Sequence, residues 1–108
     1  MLGKSERTLE KYMQVGATAR LYKTLQTKLL VELATVLPKN EWQKFEKVFG
    51  ITTDMCSTAE NRMLADHPEV SNDYLAVFYG TITDNPRNPV DQKVIELAKE
   101  IAGGLVKD

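Results

Sequence analysis

The sequence has few of the residues that cross-link a small chain or hold a metal ion. Its 108 residues include one cysteine, Cys56, and one histidine, His67. A lone cysteine cannot form an intramolecular disulfide, and a lone histidine excludes the zinc motifs that need two. We therefore predict that the chain binds no metal and no other cofactor. Because small secreted domains usually carry several cysteines, the composition favours a cytoplasmic location.

Long apolar runs and glycine-rich motifs are also missing. No segment approaches the roughly 20 apolar residues of a membrane-spanning helix, and residues 1–5 do not lead into a signal-peptide core. None of the glycine-containing fingerprints of nucleotide-binding proteins or hydrolases occurs. The sequence thus predicts a protein that does not insert into a membrane and is not an enzyme.

The composition is that of an ordinary globular domain. Apolar residues make up 43% of the chain and charged residues 27%, close to average usage and far from the values of disordered chains. A chain of this length has room for one domain. We predict a single helical domain over residues 1–108.

Apolar periodicity predicts an all-α fold, a compact bundle of about five helices whose arrangement, orthogonal or up-down, the pattern leaves open. The clearest helix follows Asn88, an N-cap residue, and begins with Pro89 at its first position and Asp91 in its first turn. Apolar residues then recur with the 3.6-residue period as far as Gly103 and Gly104, which predict its end.

Three further helices are predicted in the middle of the chain. Asn40 is expected to cap one that Gly50 closes, and the next is expected to run from Thr52 or Thr53 to the residue before His67. Residues 74–79 are six consecutive apolar residues that could form a buried helix or a buried strand. We favour a helix, because no other segment alternates with period two to pair with a strand.

The N-terminal segment, residues 5–37, could form one helix or two. On a helical wheel its apolar face before Gly16 points away from its apolar face after Gly16, and glycine in a helix interior is destabilising. We therefore predict a short helix over residues 5–14, a break at Gly16, and a longer helix over residues 18–37. If the helix is continuous instead, its first turns present an apolar face that a second chain would have to cover.

These patterns predict a small protein-interaction module, an adaptor or regulator, that forms a homodimer. The candidate interface consists of the first apolar face and the one tryptophan: Leu9, Tyr12, Met13 and Trp42. Tryptophan is included because aromatic residues are enriched among binding hot spots.

An alternative function rests on the uneven distribution of charge. Residues 1–50 hold nine basic and five acidic residues, whereas residues 51–108 hold five basic and ten acidic ones. The two halves could simply attract each other within one domain, or the basic half could bind DNA or RNA. The candidate nucleic-acid contacts are Arg7, Lys11, Arg20, Lys23 and Lys28.

Overall fold

The protein is all-helical in the parts that the structure describes. This structure, a computed structural model, describes residues 1–82 and 85–105, and it contains three long α-helices, one short α-helix and two 3-10 turns. The helix count in these residues is therefore lower than the predicted five. The α-helices are α1 (Leu9–Leu33), α2 (Lys39–Glu46), α3 (Val48–Asp66) and α4 (Pro89–Leu105), and the 3-10 turns are Lys4–Glu6 and Asn72–Tyr74.

The predicted break at Gly16 is wrong, because α1 passes through this residue as one helix of 25 residues. It begins after Thr8, whose hydroxyl caps the helix by accepting a hydrogen bond from the Lys11 backbone N–H at 3.1 Å. Its C-terminal end at Leu33 falls four residues short of the predicted one at Leu37. Helix propensity favoured a break at the glycine, but tertiary packing decides the outcome.

Gly16 is retained inside α1 because another segment packs directly against its backbone. A Cβ atom at this position would lie 2.6 Å from the Val77 carbonyl oxygen and 2.5 Å from Val77 Cγ1. The absence of a side chain therefore lets the two backbones approach, a use of glycine that propensity scales do not represent.

The predicted boundary at Gly50 is also wrong. Lys47 alone separates α2 from α3, and its φ of −60° and ψ of −21° are close to helical values. Gly50 lies inside α3, with no atom near its potential Cβ position. Asn40 is a residue of α2 and not its cap, since Pro38 occupies the N-cap position. The predicted end of α3 before His67 is confirmed.

Residues 74–79 form neither a long helix nor a strand. They continue from the 3-10 turn at Asn72–Tyr74 through consecutive turns, with backbone bonds from Val77 to Tyr74 and from Gly80 to Ala76. This turn segment carries the fully buried Phe78 into the core. It therefore packs between α1, α3 and α4.

The start of α4 is confirmed, since the Asn88 side chain accepts a hydrogen bond from the Asp91 backbone N–H at 2.8 Å. Its predicted end is wrong: the helix continues through Gly103 and Gly104 to Leu105. A glycine stop requires a left-handed residue, and no residue in the described ranges has a positive φ.

A buried arginine ties α1 to the turn segment and to α4. Arg20 is 1% exposed and donates to the carbonyl oxygens of Val77, Thr81 and Ala76 at 3.0, 3.0 and 2.6 Å. Its Nη2 atom lies 2.7 Å from Oδ1 of Asp91. The same guanidinium occupies the space that a side chain on Gly80 would need.

The apolar core surrounds this arginine and leaves the far end of α1 outside it. The described chain extends 48 Å along its long axis and about 30 Å across, with a radius of gyration of 15.5 Å, against ~13 Å for an average domain of this length. The core lies mainly between the first half of α1, α3, the turn segment and α4: Tyr12, Met13, Ala17, Cys56, Met63, Val77, Phe78, Val94 and Ala98.

Two glycines inside helices should respond oppositely to alanine. Gly16→Ala places a methyl group against the Val77 backbone, and overpacking of this kind should lower the free energy of unfolding by about 1–3 kcal/mol. Gly50→Ala meets open space, so the better helix former should raise it by up to about 1 kcal/mol. Urea denaturation followed by circular dichroism measures both, and equal effects would contradict the close packing at Gly16.

Candidate interaction surface

The helix α1 has two apolar faces, and only one of them is covered. Its first half buries Met13, Ala17 and Arg20 against the turn segment and α4. The other face carries large apolar residues along the whole helix, and α2 and α3 flank it without covering it. This second face is the best candidate for a functional surface within the described residues.

We call the exposed surface formed by this second face and the adjoining sides of α2 and α3 the open face. It contains two adjoining cavities, each of about 370 Å³, which share Tyr22 as a common wall. The first lies between α1 and α3, and the second lies between the far end of α1 and α2. Its large apolar residues are Val15, Tyr22, Leu25, Leu29, Leu33, Phe45, Val48 and Met55.

The open face exposes more apolar surface than scattered surface residues would. Tyr22, Leu25, Leu29, Phe45 and Met55 are 49, 51, 55, 49 and 54% exposed. Exposed apolar patches of this kind are typical of interaction surfaces. With Val15, these side chains leave roughly 500 Å² of apolar surface in water, estimated from the size of such side chains.

Gln26 is a buried polar residue within the open face. It is only 8% exposed, it lines the cavity between α1 and α2, and its side-chain oxygen accepts no hydrogen bond from the described residues. Burying an amide oxygen without a donor is unfavourable. The cavity therefore combines apolar walls with one polar group that requires a partner.

Trp42, one of the predicted interface residues, fixes one wall of the open face. Its indole N–H donates to the Leu30 backbone oxygen at 2.7 Å, which anchors α2 to α1. The tryptophan is partly buried by this contact, and Phe45 on the same helix stays half-exposed. Trp42 therefore positions the surface, while Phe45 presents an apolar ring on it.

The other predicted interface residues lie in the core of the same chain. Tyr12 and Met13 are 7 and 4% exposed, and Leu9 packs against the core cluster. The prediction that a continuous helix leaves this face for a second chain to cover is wrong. In the structure the turn segment and α4 cover it, and the face that is left bare is the later one, which includes Leu25 and Leu29.

The basic residues predicted to contact nucleic acid do not form one unpaired surface. Arg7 pairs with Asp66, and Arg20 is buried against Asp91.

Two of the three predicted lysines are also engaged. The Lys23 ammonium donates to the Phe78 carbonyl oxygen and lies 5.0 Å from the centre of the Tyr79 ring. Lys28 pairs with Glu32 at 2.8 Å. Among the described residues, Lys11 is the member of this set whose ammonium group makes no contact of these kinds.

A second polar cluster lies at the end of α3, around Asp66. Arg7 donates two hydrogen bonds to its carboxylate, from Nε at 2.6 Å and from Nη2 at 3.0 Å. The Tyr12 hydroxyl donates to the same carboxylate, and His67 Nε2 donates to the Arg7 carbonyl oxygen at 2.7 Å. Both carboxylate oxygens are engaged, so the arrangement clamps the N-terminal residues onto the end of α3.

The clamp perturbs the ionisation of its members. The hydrogen bonds from Arg7 and then from Tyr12 hold the pKa of Asp66 well below its usual range. The same carboxylate raises the pKa of Arg7 above its already high value. For Tyr12, burial is the main cause of a raised pKa, and the bond to Asp66 adds to it. At neutral pH the pair is thus fully charged, as an ion pair requires.

Cys56 and His67 each pack in a structural environment and not in a metal-binding cluster of the described residues. Cys56 is a buried free thiol on α3 that packs in the core. The ring of His67 packs edge-on against Tyr12, with ring centres 6.0 Å apart. Within the described ranges, no group of three or more histidine, cysteine and carboxylate residues is arranged to hold a metal ion.

Comparisons with known proteins supply no family for this chain. No protein-family model, no curated protein and no solved structure matches it. The helices in the described residues include none with the length and apolar character to cross a bilayer.

The sequence shows the open-face residues of α1 as an apolar face, but it does not predict them as the interface. Tyr22, Leu25, Leu29 and Leu33 form the apolar face after Gly16. The sequence signal that this face is not an ordinary apolar core is Gln26, a polar residue in its middle. The structure buries Gln26 and leaves its side-chain oxygen without a hydrogen bond from the described residues.

The Asp66 clamp predicts an acid-sensitive stability. Because the folded-state pKa of Asp66 lies below the unfolded-state value of about 4, its pairing stabilises the folded chain above that pH. This contribution should be lost progressively as the pH falls below about 4. Asp66→Asn should be less stable than the wild type at pH 7, and the difference should shrink toward pH 2.

Urea denaturation at several pH values measures this effect. Asp54→Asn serves as the control, because Asp54 is exposed and forms no ion pair within the described residues. A constant difference between Asp66→Asn and wild type from pH 7 to pH 2 would contradict the ionic character of the clamp.

Proposed function

We propose that this protein is a non-enzymatic protein-interaction module that acts by self-association through the open face. The observation that supports this most directly is the row of half-exposed apolar residues on α1, continued by Phe45 on α2 and Met55 on α3. Exposing such a row to water is unfavourable, and covering it provides the driving force for association.

The size of the surface fits a second copy of the chain. Two open faces in contact would bury about 1,000 Å² of apolar surface in total, the lower bound for a specific protein interface. The far end of α1 and the following helix α2 form a helical hairpin, held by the bond from Trp42 to the Leu30 carbonyl oxygen. Two such hairpins brought together make a four-helix arrangement, in which each hairpin covers the other's apolar side.

The polar clusters elsewhere on the chain support an interaction role over catalysis. The Asp66 carboxylate is occupied by Arg7 and Tyr12, and the Asp91 carboxylate is occupied by Arg20 and the Arg87 backbone N–H. These groups hold segments of the fold together. Within the described ranges, the open face is the apolar surface that the rest of the chain leaves half-exposed.

A charge placed on the open face should prevent association. Leu29→Glu puts a carboxylate in the middle of the proposed interface, where its desolvation should weaken the dimer by about tenfold or more. Val31→Glu is the matched control, because Val31 lies on α1 two residues away, is 64% exposed and does not line the open face. Sedimentation velocity measures the association of both variants and of the wild type. Protein concentrations from about 1 to 100 µM cover the range from stable to transient dimers.

We expect a dimer for the wild type and for Val31→Glu, and a monomer for Leu29→Glu with unchanged helical content. A wild type that stays monomeric throughout this range would overturn the proposal. So would a Leu29→Glu variant that associates as strongly as Val31→Glu.

A further inference from the structure

The α1 stripe of the open face has the spacing of a coiled-coil seam. Its members are separated alternately by four and three residues, the heptad pattern that lets two helices interlock. Five members are apolar and one is the buried polar residue described above. In chain order they are Val15, Ala19, Tyr22, Gln26, Leu29 and Leu33.

This stripe is complementary to itself when one copy is reversed. An antiparallel pairing centred on Thr24 places every seam residue opposite another seam residue, at equal distances on either side of the centre. The pairs are Val15 with Leu33, Ala19 with Leu29, and Tyr22 with Gln26. Two pairs are apolar, and the third joins the two residues that carry polar atoms.

The third pair satisfies polar groups that the single chain leaves without partners. The Gln26 side-chain oxygen is buried and accepts no hydrogen bond from the described residues, and the half-exposed Tyr22 hydroxyl makes none with them. A tyrosine hydroxyl donates a hydrogen bond and an amide oxygen accepts one. Rotation of the amide about its broad terminal torsion can present the oxygen to the second copy.

A parallel pairing would not bring the Tyr22 hydroxyl of one copy to the Gln26 carboxamide of the other. It would place Tyr22 against its own copy, so that two phenol groups face each other in the apolar seam. It would also align the two helix dipoles in the same direction, which is the less favourable orientation.

Building on the proposed function, we infer that two copies pack their α1 helices antiparallel about Thr24, with the Tyr22 hydroxyl of each copy donating to the Gln26 carboxamide of the other. A polar pair at a seam position fixes register at some expense of stability. Gln26 is then the residue that selects this alignment over apolar alternatives shifted by one heptad.

Distances between spin labels test the orientation and the register. Single cysteines replace Gln14 or Ala34, exposed positions ten residues on either side of Thr24, in a Cys56→Ala background. At 1.5 Å of rise per residue, each position should lie about 30 Å from its counterpart in the other copy. We expect the two variants to give similar distances near that value in the dimer.

Other outcomes overturn the inference. A parallel pair would give short distances, below about 20 Å, at both positions, and a register shifted by one heptad would give two distances differing by about 20 Å. Either result in a dimer that Leu29→Glu disrupts would refute the alignment and leave the proposed function intact. A monomeric wild type would refute both.

A double-mutant cycle tests the hydrogen bond itself. Tyr22→Phe removes two symmetry-related donors, so the dimer dissociation constant should rise about tenfold. Gln26→Leu should weaken the dimer when Tyr22 is present, because the hydroxyl then loses its acceptor, and should strengthen it in the Tyr22→Phe background. The same effect of Gln26→Leu in both backgrounds, measured by sedimentation equilibrium, would overturn the pairing.

Discussion

The buried guanidinium of Arg20 is the interaction on which the arrangement of this chain depends. A charged group in an apolar core is tolerated only when it is paired and its donors are satisfied. Here the carbonyl oxygens of the turn segment and the carboxylate of Asp91 meet both needs. Because these partners come from two separate segments, the arginine fixes both against the same side of α1. Gly80 then has to be a glycine, since the guanidinium fills the position of its side chain.

Because the segments that bind Arg20 cover one side of α1, the other side of the helix remains accessible to another molecule. The turn segment and α4 pack on the face that carries Arg20, and together with α3 they cover only the first half of the helix. The second half extends beyond the core, where α2 is attached through the Trp42 bond to Leu30. Tyr22 and Leu29 are left half-exposed as a consequence. The open face is thus the side of α1 that these elements do not cover, continued along the half of the helix that extends beyond the core.

Local signals in the sequence were sufficient where a helix boundary is set by its own residues. Asn88 and Pro89 start α4, and the residue before Pro68 ends α3, because capping and proline geometry act over a few residues. Local signals do not predict the helix boundaries at glycines. They predict breaks at Gly16 and Gly50, yet both glycines lie inside helices. Gly16 is required by the close approach of Val77, whereas Gly50 lies in open space inside α3. The difference between these glycines is made by neighbours that are distant in sequence.

For the same reason, the sequence predicts the two apolar faces of α1 but assigns the interface to the face that the chain itself covers. A helical wheel shows that a helix has two faces, but it does not show which one its own chain will cover. The face that the chain covers contains Arg20, a residue that the pattern assigns to solvent, and its burial depends on carbonyl oxygens more than fifty residues away. The face that stays open contains Gln26, whose polarity is the trace left in the sequence. A polar residue in an apolar stripe therefore does not show by itself which face the chain covers. Arg20 interrupts the covered face and is buried because carbonyl oxygens and Asp91 meet its charge, whereas Gln26 interrupts the open face and its side-chain oxygen finds no donor in the described residues.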